Sequence, residues 1–93
     1  MITSIADKET EKVFNQIFSK HIPKEIQRKA LMKLIMIDAA QSLNDLLMPP
    51  ANRLEKLQGN REGQYSIRIN SQYRICFNFE DGDAENVEIV DYH

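Results

Sequence analysis

Two arginines and a polar triplet at the end of the chain are the residues whose types and spacing could do chemistry. Apolar and polar side chains alternate over residues 65–70 and 73–79, which predicts two half-buried strands joined by a turn near Ser71. Arg68 and Arg74 then share the polar face of this hairpin, and we expect both to face solvent. Like charges opposite one another cost stability, whereas a bound phosphate would neutralise both. The alternative is that each arginine pairs with a nearby acid such as Glu88.

The triplet Asp91, Tyr92 and His93 supplies a carboxylate, a phenol and an imidazole at the end of a predicted last strand. Cleaving RNA without a metal needs a base for the ribose 2′-OH, an acid for the leaving 5′-oxygen and cations around the phosphorane. Imidazole, carboxylate and guanidinium groups can fill those roles if the last strand pairs beside the arginine-bearing strand. The alternative is that the triplet is a solvated chain end.

Helices are predicted for the first half of the chain. Asp7 opens an acidic stretch that suits a helix start, and apolar residues at 13, 14, 17 and 18 recur at helical spacing. A second helix is predicted from about Pro23 to Ala40, because a proline is tolerated in a first turn and the apolar pattern continues beyond it. Ile2 and Ile5, ahead of the first helix, suggest a short edge strand.

Strands are predicted for the second half of the chain. Pro49 and Pro50 stop any helix, and the apolar period then changes to two. Turn-rich segments at 59–63 and 81–83 separate the strands, and the last strand runs to His93. We therefore predict an α+β fold in one domain over residues 1–93, with N-terminal helices (about 7–47) packed on a C-terminal antiparallel sheet (about 53–93).

Composition limits the classes of function. No apolar run approaches the roughly 20 residues that cross a bilayer, so we expect a cytoplasmic protein with no membrane partner. The single cysteine, Cys76, excludes an internal disulfide and a cysteine metal cluster, and no metal or cofactor site is predicted.

Charge is unevenly distributed along the chain. Residues 1–52 carry seven Lys/Arg and six Asp/Glu, residues 53–74 carry five and two, and residues 75–93 carry none and six, giving balances of +1, +3 and −6. The five cations of the middle segment form a basic strip that could hold an RNA backbone. The acidic end argues against strong nonspecific binding to free duplex. The basic strip consists of Arg53, Lys56, Arg61, Arg68 and Arg74.

Several spaced motifs carry a resemblance to a known family. They are AAQSLNDL at 39–46, NRLEKLQGNREGQYSIRIN at 52–70, QYRICF at 72–77 and VEIVDYH at 87–93. Together they closely resemble the HigB toxins of the RelE/ParE superfamily. The resemblance implies a compact α+β fold and a ribosome-dependent endoribonuclease acting on mRNA in the A site. It also implies neutralisation by a helix-turn-helix antitoxin of the HigA kind.

The same resemblance implies roles for individual residues. It places the transition-state arginine at Arg74 and the acid/base set at Asp91, Tyr92 and His93. Some relatives carry histidine and lysine where this chain has Glu55 and Gln58. Glu55 is therefore a candidate base, with an inert acid at the rim of the site as the alternative. Tyr65 also replaces a histidine of related sequences. The proposed RNA-binding residues are Arg53, Lys56, Arg61 and Arg68.

Two other functions fit the same fold. A ParE-like toxin would inhibit DNA gyrase rather than cut RNA. A non-catalytic chain would complete an antitoxin's repressor complex, touching operator DNA only indirectly through the antitoxin.

Overall fold

The computed structural model describes residues 1–92, so the predicted catalytic His93 lies outside the described residues. Two helices, α1 (Lys8–Phe14) and α2 (Lys24–Ala39), precede a four-stranded sheet. The strands are β1 (Glu55–Lys56), β2 (Tyr65–Arg68), β3 (Tyr73–Glu80) and β4 (Asp83–Asp91), and they lie in that order with every pair antiparallel. The predicted α+β fold, with helices before an antiparallel sheet, is confirmed.

Helix α1 begins where predicted and ends early. The Asp7 carboxylate accepts a hydrogen bond from the Thr10 amide at 3.1 Å, which caps the helix start. Gln16 then adopts a left-handed conformation (φ 63°), and the Ile17 amide donates back to the Lys12 carbonyl at 2.7 Å. This is a Schellman end, so the prediction that 17 and 18 continue the helix is wrong. Ile17 and Phe18 are exposed instead.

Helix α2 confirms the second predicted helix and spans residues 24–39. Its buried positions recur at helical spacing, and they include one charged residue, Lys33. A 3₁₀ turn at Leu43–Leu47 and another at Pro50–Asn52 carry the chain to the sheet. No helix within residues 1–92 is long and apolar enough to span a membrane.

The alternation of apolar residues did not predict strand β1, whereas the turn between β3 and β4 was predicted. Strand β1 is only two residues long, too short to show a period. Asp81 and Gly82 join β3 to β4 with positive φ angles of 50° and 83°, as a type I′ turn requires. Glycine is favoured at such a position because it has no Cβ.

One face of the sheet packs on the helices and forms the core. A bulge in β4 sets Asn86 and Val87 against the single residue Phe77, which turns both Ala84 and Val87 inward. Ile2 and Ile5 form isolated parallel bridges with those two residues, so the predicted N-terminal edge segment is confirmed as two bridges. The fully or almost fully buried core includes Val13, Ile26, Ala30, Leu34, Ile37, Ile67, Ile75, Phe77 and Val87.

Candidate active site

The polar face of the sheet, opposite the helices, carries the candidate active site. Arg68 and Arg74 are Cα partners across β2 and β3, as the alternation predicted. Ser66 and Cys76 are the next pair on the same face, and Glu55 continues that row on β1. Cross-strand partners on one face lie close enough to interact, so strand pairing alone brings these side chains together.

Arg74 does not face solvent, and that expectation is wrong. Its relative exposure is 8%. Its Nε donates to Ser66 Oγ at 2.8 Å, and its Nη2 donates to the Arg53 carbonyl at 2.6 Å and the Ser66 carbonyl at 3.4 Å. These acceptors bind the Nε and Nη2 sides of the planar guanidinium in fixed directions. The guanidinium is therefore held in one orientation.

Glu55 and Tyr92 complete the surroundings of Arg74. Glu55 Oε1 lies 3.7 Å from Arg74 Nη1, and its side chain is 55% exposed. The Tyr92 ring lies 5.9 Å from Arg74 Cζ, within the range of a cation–π contact. The acid that pairs with Arg74 is thus Glu55 rather than Glu88, which pairs with Arg61 at 3.2 Å.

Asp91 lies apart from this group. It pairs with Tyr73 across β3 and β4, whereas its neighbour Val90 pairs with Arg74. Because side chains alternate along a strand, the Asp91 side chain leaves the face opposite to that of Val90 and Arg74. The Asp91 carboxylate accepts from Gln72 Nε2 at 3.1 and 3.2 Å, and the Tyr92 amide donates to the Gln72 carbonyl at 2.6 Å. These contacts fasten the end of β4 to the β2–β3 turn.

The remaining cations of the basic strip differ in their exposure and in the hydrogen bonds that they make. Arg53 and Lys56 are exposed, and Arg53 contributes its carbonyl to Arg74. Arg61 is half-buried and donates to Gln64 and Glu88. Arg68 is half-buried, and its Nε donates to the Asn70 carbonyl at 3.0 Å. The strip therefore offers two exposed cations and two partly engaged ones around the buried Arg74.

Two other reactive possibilities have little support on this face. Burial raises the pKa of the Cys76 thiol, so the thiol stays neutral and is a poor nucleophile. Within residues 1–92, no three His, Cys, Asp or Glu side chains are placed to hold a metal ion together.

Three residues of the site region were not singled out from the sequence. Ser66 is fully buried and orients Arg74, and the signal for it was its position one pair away on the same face. Lys33 is buried on α2 and donates to the buried Asn52. Lys33 falls seven residues after Ile26 and three after Ala30, on the core-facing stripe of the helix, so a helical projection would have found it.

The fold is similar to that of a class of protein, the toxins of toxin–antitoxin complexes. The whole chain superposes on Staphylococcus aureus YoeB from a heterotetrameric YoeB–YefM toxin–antitoxin complex, with a TM-score of 0.62, 26% identity and 95% of that chain covered. A YoeB dimer from the same organism gives a TM-score of 0.60 at 26% identity, with 99% of this chain and 94% of that chain covered.

Sequence similarity identifies a narrower family within this class. The HigB-like toxin family, described as the RelE-like toxin of type II toxin-antitoxin system HigB, matches residues 3–93, and the chain belongs to this family. Toxin HigB-1 of Vibrio cholerae is 49% identical over 65 residues, which cover 70% of this chain and 68% of that protein. Endoribonuclease HigB of Proteus vulgaris is 31% identical over 93 residues, the full length of both.

Proposed function

We propose that this toxin is an endoribonuclease that cuts mRNA on the ribosome without a metal. The observation that carries the proposal is the fixed, nearly buried guanidinium of Arg74 with Glu55 and Tyr92 beside it. Preorganised cations and donors are what a developing phosphorane charge requires. The full-length similarity to a protein named Endoribonuclease HigB supports the same activity.

The reaction that these groups serve is an attack within the RNA. The ribose 2′-oxygen bonds to the adjacent phosphorus, and the bond from phosphorus to the 5′-oxygen breaks. The products are a cyclic phosphate and a 5′-OH. Arg74 stabilises the negative charge that grows on the phosphoryl oxygens in between.

Proton transfers complete the scheme. Glu55 takes the 2′-OH proton, because it is the carboxylate nearest Arg74 and stays accessible to substrate. His93 gives a proton to the leaving oxygen, and Tyr92 stacks on a base. Asp91 acts indirectly, by fastening the end of β4 through Gln72 so that Tyr92 stays beside Arg74.

The charge distribution supports dependence on the ribosome. Strong affinity for free RNA is not expected, because residues 75–93 carry six acids and no Lys or Arg. The ribosome would supply the message already aligned, and correct alignment of reacting groups can contribute about 7–11 kcal/mol of a barrier. The basic strip then needs only to contact a strand that is already held, through Arg53, Lys56, Arg61 and Arg68.

The regulatory partner is an antitoxin. Membership of a type II toxin family and the YoeB–YefM complexes among the structural neighbours both support it. We propose that this antitoxin is a helix-turn-helix protein of the HigA kind. It would bind operator DNA itself, so the toxin would reach DNA only indirectly.

The test is cleavage of a defined message in a purified translation system. Arg74→Lys keeps a charge and loses the planar fork, so we expect the rate to fall about a hundredfold or more. Arg28→Lys changes an exposed arginine on α2 in the same way and should cut at the wild-type rate. Equal rates for all three proteins would exclude Arg74 from the mechanism.

The same assay decides the role of Glu55. Because Glu55 acts as the general base in this proposal, Glu55→Gln should lower the cleavage rate by about a hundredfold. Glu62→Gln changes an exposed acid in the same way and should not lower the rate. An unchanged rate would make Glu55 an inert partner of Arg74.

Deleting His93 tests the proposed acid. In a ribosome-free supercoiling assay we expect no gyrase inhibition, and inhibition there would favour the ParE-like alternative.

A further inference from the structure

Lys33 is a buried cation with one neutral partner. It is 6% exposed, and its Nζ donates to Asn52 Oδ1. The Asn52 amide nitrogen in turn donates to the Leu46 carbonyl at 3.2 Å and the Met48 carbonyl at 3.3 Å. Those two bonds fix the amide so that its oxygen faces Lys33, and Asn52 itself is fully buried.

The hydrogen bond to Asn52 satisfies only part of the Lys33 ammonium group. An ammonium group has three donors, and the Asn52 oxygen accepts only one of them. In the part of the chain that the structure describes, no carboxylate lies within ion-pair distance of Lys33. Burial, with a smaller effect of the positive charge on Lys29, lowers the pKa of Lys33. Buried charges are ordinarily paired with an acid, and within residues 1–92 Lys33 has none.

Lys33 lines a cleft that holds two further cations. The cleft, about 320 Å³ in volume, lies between α2 and the β2–β3 turn, and Lys29 and Arg68 also line it. Ala51, Ile69, Asn70 and Ser71 make up the rest of the lining. Three positive side chains therefore surround a space whose described lining contains no acid.

We propose that this cleft binds one phosphate of an RNA backbone. Arg68 links it to the candidate active site, because Arg68 and Arg74 are direct partners across β2 and β3. A backbone phosphate carries one negative charge, and its oxygens accept charge-assisted hydrogen bonds from Lys and Arg, so a cleft lined by three cations suits it. The assignment of RNA as the source of the phosphate rests on the proposed function, whereas the anion site rests on the cleft alone.

The test is the salt dependence of binding to a short RNA that cannot be cut. A 2′-O-methyl oligonucleotide serves as the probe, and a morpholino of the same sequence serves as its uncharged match. At low salt, Lys29→Gln should bind the charged probe about fivefold more weakly than wild type. The slope of log affinity against log salt should fall by about 0.7, the value for one phosphate contact on a single strand.

Three controls separate a phosphate contact in the cleft from a general effect of charge or folding. Lys24→Gln, an exposed lysine at the start of the same helix and outside the cleft lining, should leave affinity and slope unchanged. The morpholino should show no difference between wild type and Lys29→Gln. Lys33→Met keeps the apolar stem and should weaken binding like Lys29→Gln; its folding is checked by urea unfolding, and Lys29→Gln decides alone if it unfolds.

The outcomes separate this proposal from the proposed function. An unchanged slope in Lys29→Gln overturns the phosphate site, even if the toxin cuts mRNA. A reduced slope supports it, even if no cleavage is found. If Lys29→Gln instead loses binding to a polyglutamate peptide and not to the RNA, the cleft is a site for an acidic protein segment and the proposal fails.

Discussion

Arg74 and Lys33 are two nearly buried cations that the fold treats in opposite ways. Arg74 donates to a hydroxyl and to two carbonyls and has Glu55 at its edge. Lys33 donates to one amide oxygen and has two cations near it rather than an acid. Their exposures are almost equal, at 8% and 6%, so burial alone does not separate them.

The two residues show that the role of a buried charge depends on its hydrogen-bond and ion-pair partners as well as on its exposure. Arg74 makes three hydrogen bonds in fixed directions through its Nε and Nη2, which suits a group that must hold one position during a reaction. Lys33 donates to one neutral oxygen and has no acid within ion-pair distance among residues 1–92, which suits a group that completes its bonds with a ligand.

Removing the one partner of Lys33 should cost the most stability. Asn52→Ala deletes hydrogen bonds to Lys33, Leu46 and Met48, at about 1 kcal/mol each, so we expect a loss of about 3 kcal/mol in the free energy of unfolding. Urea unfolding measures it. The exposed Asn44→Ala, in the neighbouring 3₁₀ turn, should stay within about 0.5 kcal/mol of wild type. Equal stability of the two variants would mean that Lys33 does not depend on Asn52.

Removing one acceptor of Arg74 should lower the cleavage rate and leave binding of the message unchanged. Ser66→Ala leaves the Nε of Arg74 without its acceptor, so we expect roughly a tenfold lower kcat with KM for the message unchanged, a cost near 1.4 kcal/mol. Ser66→Thr keeps the hydroxyl and should restore most of the rate. Ser4→Ala, far along the chain and exposed, serves as the control. A rise in KM with constant kcat would contradict a positioning role.

The smallest effect concerns pH. Because burial lowers the pKa of Lys33 below its ordinary value of 10.5, the unfolded chain binds more protons than the native one in the window between the two values. The free energy of unfolding contributed by Lys33 should therefore rise with pH through that window. Urea unfolding of wild type and Lys33→Met should show a difference that grows in favour of wild type. Cys76, whose raised pKa acts equally in both proteins, cancels, so a flat difference would contradict the lowered pKa.

The sequence predicted the fold through its periodicities. The Asp7 cap, the α2 stripe, the Asp81 turn and the Arg68–Arg74 pairing all follow from local rules, and the structure confirms them. Helix α1 was extended too far because its end depends on the left-handed Gln16, for which no glycine gave a signal.

The candidate site was predicted less well, because its geometry is set by non-local contacts. Alternation placed Arg74 on the polar face and could not show that the Arg53 carbonyl, just after the Pro50–Asn52 turn, accepts a hydrogen bond from it. Asn52 in the same turn accepts from Lys33, so both buried cations depend on where one short turn packs. Glu55 was named as a candidate base by family position alone, and its ion pair with Arg74 emerged from the β1–β2 pairing.

The first residues of the chain decide how the sheet meets other molecules. Main-chain hydrogen bonds from residues 1–6 satisfy Ala84 and Val87 along the outer border of β4. An unpaired strand border is a template for joining another strand, and here it is already occupied. A shortened N-terminus would uncover that border and invite self-association, so fusion tags are better tolerated where they leave residues 1–6 paired.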